Sequence, residues 1–442
     1  MRRPGWWPTT AHVRAGGTGL VLAVIGALTR RPDAVVLATP LLAIAVWGAL
    51  TRPRGEPTVT QEPDHHTLRE GEATTWRVEV DSADPHVDAV AAVLWPSSFA
   101  ELDPESGEVV DRPVEADAAT DSAAAGGARR TSLSIAVRST RWGRRPLGPA
   151  AVVATSPWAA FRWMEFDAAQ RWITTLPVPA AFDAVAPVAH TAGLVGLDRS
   201  VRTGDGSEFA GIRQFQPGDR LRRIHWPRSL RTGTLHVSST WADHDHHVLL
   251  VVDAFNDVGT SEGVDGRASS LDATVRAAGA LAEHHLRRGD RVSLHTLGAR
   301  GLVRVPPGSG TGHLRRVLDE LARVEPGSRL DDRRMSFGVG GGALVVVLSP
   351  LVSQVPLQRA VTLAATSARV VVVDTLPADL PVPGLDAAGA LAWRIRLLER
   401  SRELRAVRAA GVPVVAWRGP GSLDQVLRDL SRRRGAPRTV RR

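Results

Sequence analysis

The chain opens on two uncharged apolar runs, Ala15–Leu28 and Ala34–Leu50, separated by Thr29-Arg30-Arg31-Pro32-Asp33. The second run gives about 25 Å of helix, the lower end of what spans a hydrocarbon core. Val13 and a snorkelling Arg14 extend the shorter first run. Pro32 is a helix breaker in the link. This pattern predicts a transmembrane helical hairpin over residues 1-54, with Trp6, Trp7 and Trp47 at the interfaces. Leu28-Thr29-Arg30-Arg31 is a poor cleavage sequence and a second apolar run follows at once, which argues against a signal peptide. A hairpin leaves both ends on one side. Arg2, Arg3, Arg14, Arg52 and Arg54 flank that side, against Arg30 and Arg31 in the link. The positive-inside rule then predicts a multi-pass cell-membrane protein with its soluble domains in the cytoplasm.

Beyond the hairpin the period changes to two. Thr74–Val80 alternates Trp76, Val78 and Val80 with polar residues, as a half-buried strand does. Val87–Leu94, Thr131–Arg138, Pro146–Thr155 and Gln170–Leu176 continue the strand pattern, and Val114–Arg130 is small, polar and aperiodic, as a loop is. Several short strands with turns between them predict an antiparallel, Ig-like β-sandwich over 55-190. A connector, 191-240, follows. Continuous apolar runs then appear at His247–Asp253, Ala343–Leu348 and Arg369–Asp374, with a strand at Arg291–Leu297 and a last one at Pro413–Ala416. Helix-period segments alternate with them at Ser270–Arg287, Thr311–Leu321, Leu357–Thr366, Leu391–Ala410 and Ser422–Arg432. That order predicts a doubly wound α/β domain over 241-432, with a parallel sheet covered on both faces, before a basic tail, 433-442.

Composition sharpens this picture little. All 55 basic residues are arginine, and cysteine and tyrosine are absent. The arginine-rich, alanine-rich usage is that of a GC-rich, actinobacterial-type genome, so arginine abundance alone implies no nucleic acid. The absence of cysteine excludes disulfides and thiolate metal sites. The net charge of +9 is spread out, with a local excess in the tail that reads first as a solvated end and second as a contact for anionic lipid. Gly308-Ser309-Gly310-Thr311-Gly312 before a helix lacks the lysine of a P-loop, and neither G-x-S-x-G nor H-E-x-x-H occurs. Asp243-His244-Asp245-His246-His247 places His244 and His246 on one strand face, although a solvated lead into a buried strand accounts for it as well.

The segment 204–237 carries the densest motif. Glu208, Phe209, Arg213, Pro217, Gly218, Asp219, Arg223, Ile224, Trp226, Ser229, Arg231, Gly233, Leu235 and Val237 fall in register with the signature of the domain-of-unknown-function-58 family, which this chain therefore resembles. Phe215 replaces the usual Tyr, Leu230 the usual Ala, and His225 a frequent Asp. A softer match lies at Arg141–Trp163, where Ser156-Pro157-Trp158 replaces Asp-Pro-Phe. Physically, Pro217-Gly218-Asp219 is turn chemistry, and Asp219 can accept backbone amides or Arg223. Arg223 and Arg231 can fork onto carboxylates, and Trp226 offers a face for an arginine. Arg213, Asp219, Arg223, His225, Trp226, Ser229 and Arg231 are thus candidates for a partner-docking surface. The same cluster would equally serve to fix the loop that joins two domains.

The resemblance implies that the α/β half is von Willebrand factor type A-like. Such domains hold a divalent ion with D-x-S-x-S, a Thr and a second Asp. Here Asp253-Ala-Phe255-Asn-Asp257 keeps only the first Asp, Ser349 stands at the second, and Thr311 is the candidate Thr. Asp253, Asp257 and Thr311 are then the ligands of a degraded Mg2+ or Ca2+ site, and no other cofactor is expected. The resemblance further implies partnership with MoxR-type AAA+ ATPases and with transglutaminase-like membrane proteins. The resulting expectation is a membrane-anchored, non-enzymatic scaffold in envelope assembly, with the lipid bilayer and proteins as partners and no nucleic acid. The alternatives are a metal-dependent adhesion domain and, with less support, a hydrolase.

Overall fold

The computed structural model describes residues 5–115, 129–167, 171–179, 203–216, 219, 221–241, 247–298, 300, 303–327, 343–365, 369–378, 380 and 386–418. The chain divides into two compact units, Met1–Leu176 with Gly263–Asp265, and Pro177–Glu262 with Gly266–Arg442. The expected hairpin and sandwich therefore share one unit, and the expected connector belongs to the other. The loop expected at Val114–Arg130 falls largely outside the described residues, as do the helix expected at Ser422–Arg432 and the basic tail.

The first unit begins with β1 (Trp7–Pro8), α1 (Thr10–Thr29) and α2 (Pro32–Leu50). Both helices are long and apolar enough to cross a membrane. They extend beyond the uncharged runs, because Thr9 caps α1 through its hydroxyl and Pro32 is the first residue of α2 rather than a breaker. A proline's missing N–H costs nothing at that position. Small residues let the pair approach: an added Cβ at Gly26 would lie 2.7 Å from Val35. Leu20, Val21, Val24, Leu28, Val36 and Leu37 face outwards.

The strands follow as β2 (Thr58–Pro63), β3 (Thr67–Arg69), β4 (Ala73–Ser82), β5 (Ala89–Leu94), β6 (Ala100–Asp103), β7 (Glu108–Asp111), β8 (Val114–Glu115), β9 (Arg129–Ser139), β10 (Gly143–Leu147), β11 (Ala150–Thr155), β12 (Phe161–Asp167) and β13 (Arg171–Leu176). One sheet is ordered β1-β12-β11-β5-β7 and a second β2-β4-β9-β6, with β8 on β9; a third, β10-β13-β3, has β3 parallel to β13. The alternating residues of the first two sheets share a core: Trp76, Val78, Leu133 and Ile135 from one side, Val90, Leu94, Val152 and Trp163 from the other. The strand expected at Pro146–Thr155 is two strands, split where Gly148 turns with positive φ. Trp6, expected at an interface, is buried in this core and its indole N–H donates to the Gly55 carbonyl at 2.8 Å.

The second unit contains β14 (Thr203–Gln214), α3 (Trp226–Thr232), β15 (His236–Trp241), β16 (His247–Asp253), α4 (Ser270–Arg287), β17 (Arg291–Leu297), β18 (Arg304–Gly308), α5 (Thr311–Leu321), β19 (Leu344–Ser349), α6 (Val355–Ala365), β20 (Arg369–Asp374), α7 (Ala387–Ala409) and β21 (Val414–Ala416). The central sheet is ordered β18-β17-β16-β19-β20-β21. Five strands are parallel, as their apolar runs require, but β18 is an antiparallel edge. It carries Pro306 and Pro307, which an edge strand tolerates. Leu249, Val251, Val345, Val347 and Val370 meet Leu357 of α6 and Leu404 of α7 in one core layer. On the other face, α4 packs on β16 and β17 and α5 on β18. The winding reverses between β16 and β19, which makes their carboxyl ends a topological switch point.

Candidate functional site

The signature is a two-stranded ribbon with a helical insert. β14 and β15 pair antiparallel, Arg213 opposite Val237 and Gln214 opposite His236. Arg213 forks onto Asp219, with Nη1 donating to Oδ2 at 2.7 Å and Nη2 to Oδ1 at 2.5 Å. Asp219 Oδ2 also accepts the Gln216 amide at 2.8 Å. This fork holds the Asp219 carboxyl below its usual range and raises the guanidinium of Arg213. The fork donor is thus Arg213, where the motif suggested Arg223; Arg223 lies in a 3-10 turn, Leu221–Arg223, and is half-buried.

α3 starts at Trp226 and ends at Gly233, whose φ of 70° suits glycine. His225 Nδ1 accepts the Arg228 amide at 3.2 Å, so it performs the capping task of the Asp often found there. Buried Ser229 ties the helix to β15: its Oγ donates to the His225 carbonyl at 3.0 Å and accepts the His236 amide at 2.8 Å. These bonds fix α3 without covering its two large apolar side chains. Trp226 is 59% exposed and Leu230, one turn later on the same face, 80%. Leu221, Leu235 and Arg231 are exposed as well.

Of the three candidate metal ligands, Thr311 lies away from Asp253. Asp253 ends β16 at the switch point, level with Leu297 of β17. Its Oδ2 accepts the Ser349 hydroxyl at 2.5 Å and its Oδ1 the Phe255 amide at 3.0 Å. Ser349 Oγ in turn accepts the Leu351 amide at 2.9 Å. Both side chains are buried, and burial pushes the Asp253 carboxyl up to about 6, the hydroxyl and amide offsetting part of the effect. Asp257 accepts the Leu271 amide at 3.1 Å at the start of α4. Thr311 lies at the other edge of the sheet. Gly308 pairs with Val292, five strand steps or about 17 Å from the Leu297 level, and Thr311 follows it. The antiparallel β18, missed in sequence, carries it there. Among the described residues no group of three His, Asp or Glu is placed to hold a metal ion. The Asp243–His246 run lies outside the described residues.

The rest of the switch-point edge is stitched internally. The Thr375 amide donates to the Ser349 carbonyl at 3.0 Å. Arg400 of α7 donates to the Pro350 carbonyl at 3.0 Å and pairs with Asp374 at the end of β20. Sequence reasoning missed Arg400, because one arginine in an arginine-rich helix carries no mark of burial.

The model of the family described as Protein of unknown function DUF58 matches residues 211–407, from the ribbon through α7. That stretch, the DUF58 region, is similar to the family. Uncharacterised proteins of Mycobacterium tuberculosis and Mycobacterium bovis are 26% identical over 264 residues, covering 53% of this chain and 82% of each relative. The DUF58 region thus includes the Arg213–Asp219 fork, α3 and the Asp253–Ser349 pair, whereas the hairpin and the sheets of the first unit lie before it.

Proposed function

We propose that this protein is a membrane-anchored scaffold whose DUF58 region docks a protein partner through α3. In this reading α1 and α2 span the bilayer and the soluble units face the cytoplasm. The α/β unit is von Willebrand factor type A-like, with its ion site replaced by the Asp253–Ser349 hydrogen bond. The observation that carries the proposal is the division of labour in the signature. His225 and Ser229 hold α3 in place, while Trp226 and Leu230 are left exposed on it. Large apolar side chains on a fixed frame are what an interface anchor requires. By family resemblance the partner is a MoxR-type AAA+ ATPase, within a complex that includes a transglutaminase-like membrane protein and serves envelope assembly. The test is an ATP-dependent pull-down of the tagged chain from its native membrane, compared with Trp226→Ala, Arg223→Ala and Arg231→Ala. The expected result is recovery of the ATPase with the native chain and its loss in folded variants. Equal recovery with all three variants would remove α3 from the function.

A further inference from the structure

The hairpin is not loosely tethered to the β-sheets of its own unit. The Thr9 amide donates to the Ala160 carbonyl at 2.9 Å and its hydroxyl to the Ala159 carbonyl at 2.7 Å. β1 pairs Trp7 with Arg162 and Pro8 with Phe161. The rings of His12 and Phe161 lie 5.2 Å apart, and the Arg52 guanidinium sits 5.2 Å over the same phenyl ring. Gly48 passes so close that an added Cβ would lie 2.6 Å from that of Ala160. Residues 156–160 are therefore fastened level with the first turn of α1 and the last turn of α2. If α1 and α2 cross a bilayer, that is where they leave hydrocarbon for headgroups.

At this level stands Trp158, 70% exposed, with left-handed backbone angles of φ 57° and ψ 21°. The turn that imposes them is well bonded: the Phe161 amide donates to Ser156 Oγ at 2.9 Å and the Ala159 amide to the Ser156 carbonyl at 2.9 Å. A non-glycine residue in this conformation is strained, and an indole left in water gains nothing from folding in return. Trp7 and Trp47, 52% and 57% exposed, stand at the same level on two other segments, with exposed Arg162 opposite Trp7. Indoles and arginines gathered at one depth are the side chains that favour a bilayer boundary.

We propose that the β-sandwich itself touches the membrane: Trp158, Trp7 and Trp47 form an indole collar seated among lipid headgroups around the base of the hairpin. The partner is lipid rather than protein because three separate segments present the collar around the emerging helices, where a spanning hairpin has lipid for its neighbour. The proposal rests on the spanning reading of α1 and α2. Its consequence is an anchor that holds the sandwich at a fixed depth.

The absence of cysteine makes the test direct. Single nitroxide labels would be placed by Val21→Cys, Ala43→Cys, Trp158→Cys and Glu108→Cys in the full chain, reconstituted in phosphatidylcholine–phosphatidylglycerol vesicles. Val21 and Ala43 are exposed near the middles of α1 and α2. Glu108 is exposed and level with Phe166, four strand steps or about 13 Å beyond Arg162. Collision with oxygen and with an aqueous nickel chelate reports depth. The labels at 21 and 43 should be deep, that at 108 aqueous, and that at 158 intermediate, with nickel collisions several-fold below those at 108. Aqueous behaviour at 158 with deep labels at 21 and 43 would overturn the collar and leave the hairpin intact. Aqueous labels at 21 and 43 would overturn both. In addition, Trp158→Gly suits the left-handed backbone and should fold. It should lower the share of tryptophan emission quenched by lipid brominated near the headgroup, and unchanged quenching would contradict the collar.

Discussion

Ser229 illustrates what single residues do in the signature. Its hydroxyl closes a bond from the His225 carbonyl to the His236 amide, inside a helix of seven residues that has little stability of its own. Ser229→Ala leaves that amide without its acceptor and should cost about 1–3 kcal/mol. Amide exchange at His236 should accelerate accordingly. His225→Asp should act in the opposite sense, because a carboxylate caps a helix better than an imidazole, by about 0.5–1 kcal/mol; slower exchange at Arg228 would report it. Asp253 gives a pH-dependent case. Its carboxyl rises from 3.8 to about 6 on folding, so the folded state binds the proton more tightly and stability falls as pH rises through that window. Above it, ionisation costs about 3 kcal/mol. Asp253→Asn should therefore melt higher than the native chain at pH 8 and show no advantage near pH 4. An advantage independent of pH would mean that the buried charge is not the cause. Neither the Ser349 bond nor the fork from Arg213 could be assigned from spacing, since pairs 96 and 6 residues apart look alike until the strands are placed.

At the scale of elements, the apolar period predicted most of what formed. The buried strands β16, β19 and β20 and the helices α4 and α5 lie where continuous runs and helical spacing put them, because burial on both faces leaves no polar alternative. The period failed at edges. β18 carries two prolines, β1 has two residues, and β3 fills a stretch that reads as turn; at a sheet edge, pairing depends on neighbours distant in sequence. That failure decided the metal set, because β18 is what takes Thr311 away from Asp253. Elements also set acid sensitivity. His284 of α4 and His295 of β17 are both lowered to about 4, first by burial, then by His285 and Arg288 for the former and by Arg304 and His247 for the latter. Each must stay neutral in the fold, so its share of stability is full above about pH 6.5 and is lost as pH falls towards 4. Asp253 and Asp374, both raised by burial, act oppositely over the lower part of that range, against three histidines that burial lowers, His247, His284 and His295. The melting temperature of the second unit should fall on acidification from pH 7 to 5, and a flat profile would contradict the burial of these imidazoles. At the junction of the first unit, Gly48→Leu should separate the hairpin from Ala160, which a label at residue 158 would register as increased mobility.

For the whole molecule, the proposed anchoring and docking fall to different parts of one chain. The helices and the collar around Trp158 give the first unit its proposed contact with lipid. The DUF58 region keeps its acidic residues occupied at the switch point and turns Trp226 and Leu230 outwards. The family region was legible in sequence because its motif is local, within about thirty residues, whereas the exposure of α3 was not: an apolar residue in a motif reads the same whether it is packed or presented. The proposed function depends on that exposure being used. The most direct measurement is site-specific photo-crosslinking in native membranes, with a benzophenone side chain at position 230 and, as a control, at position 79 on the sandwich. A discrete nucleotide-sensitive adduct with a AAA+ ATPase at 230 and none at 79 is the predicted result. The same adducts at both positions, or none at 230 while the chain remains in its assembled complex, would contradict the assignment of α3 as the docking surface.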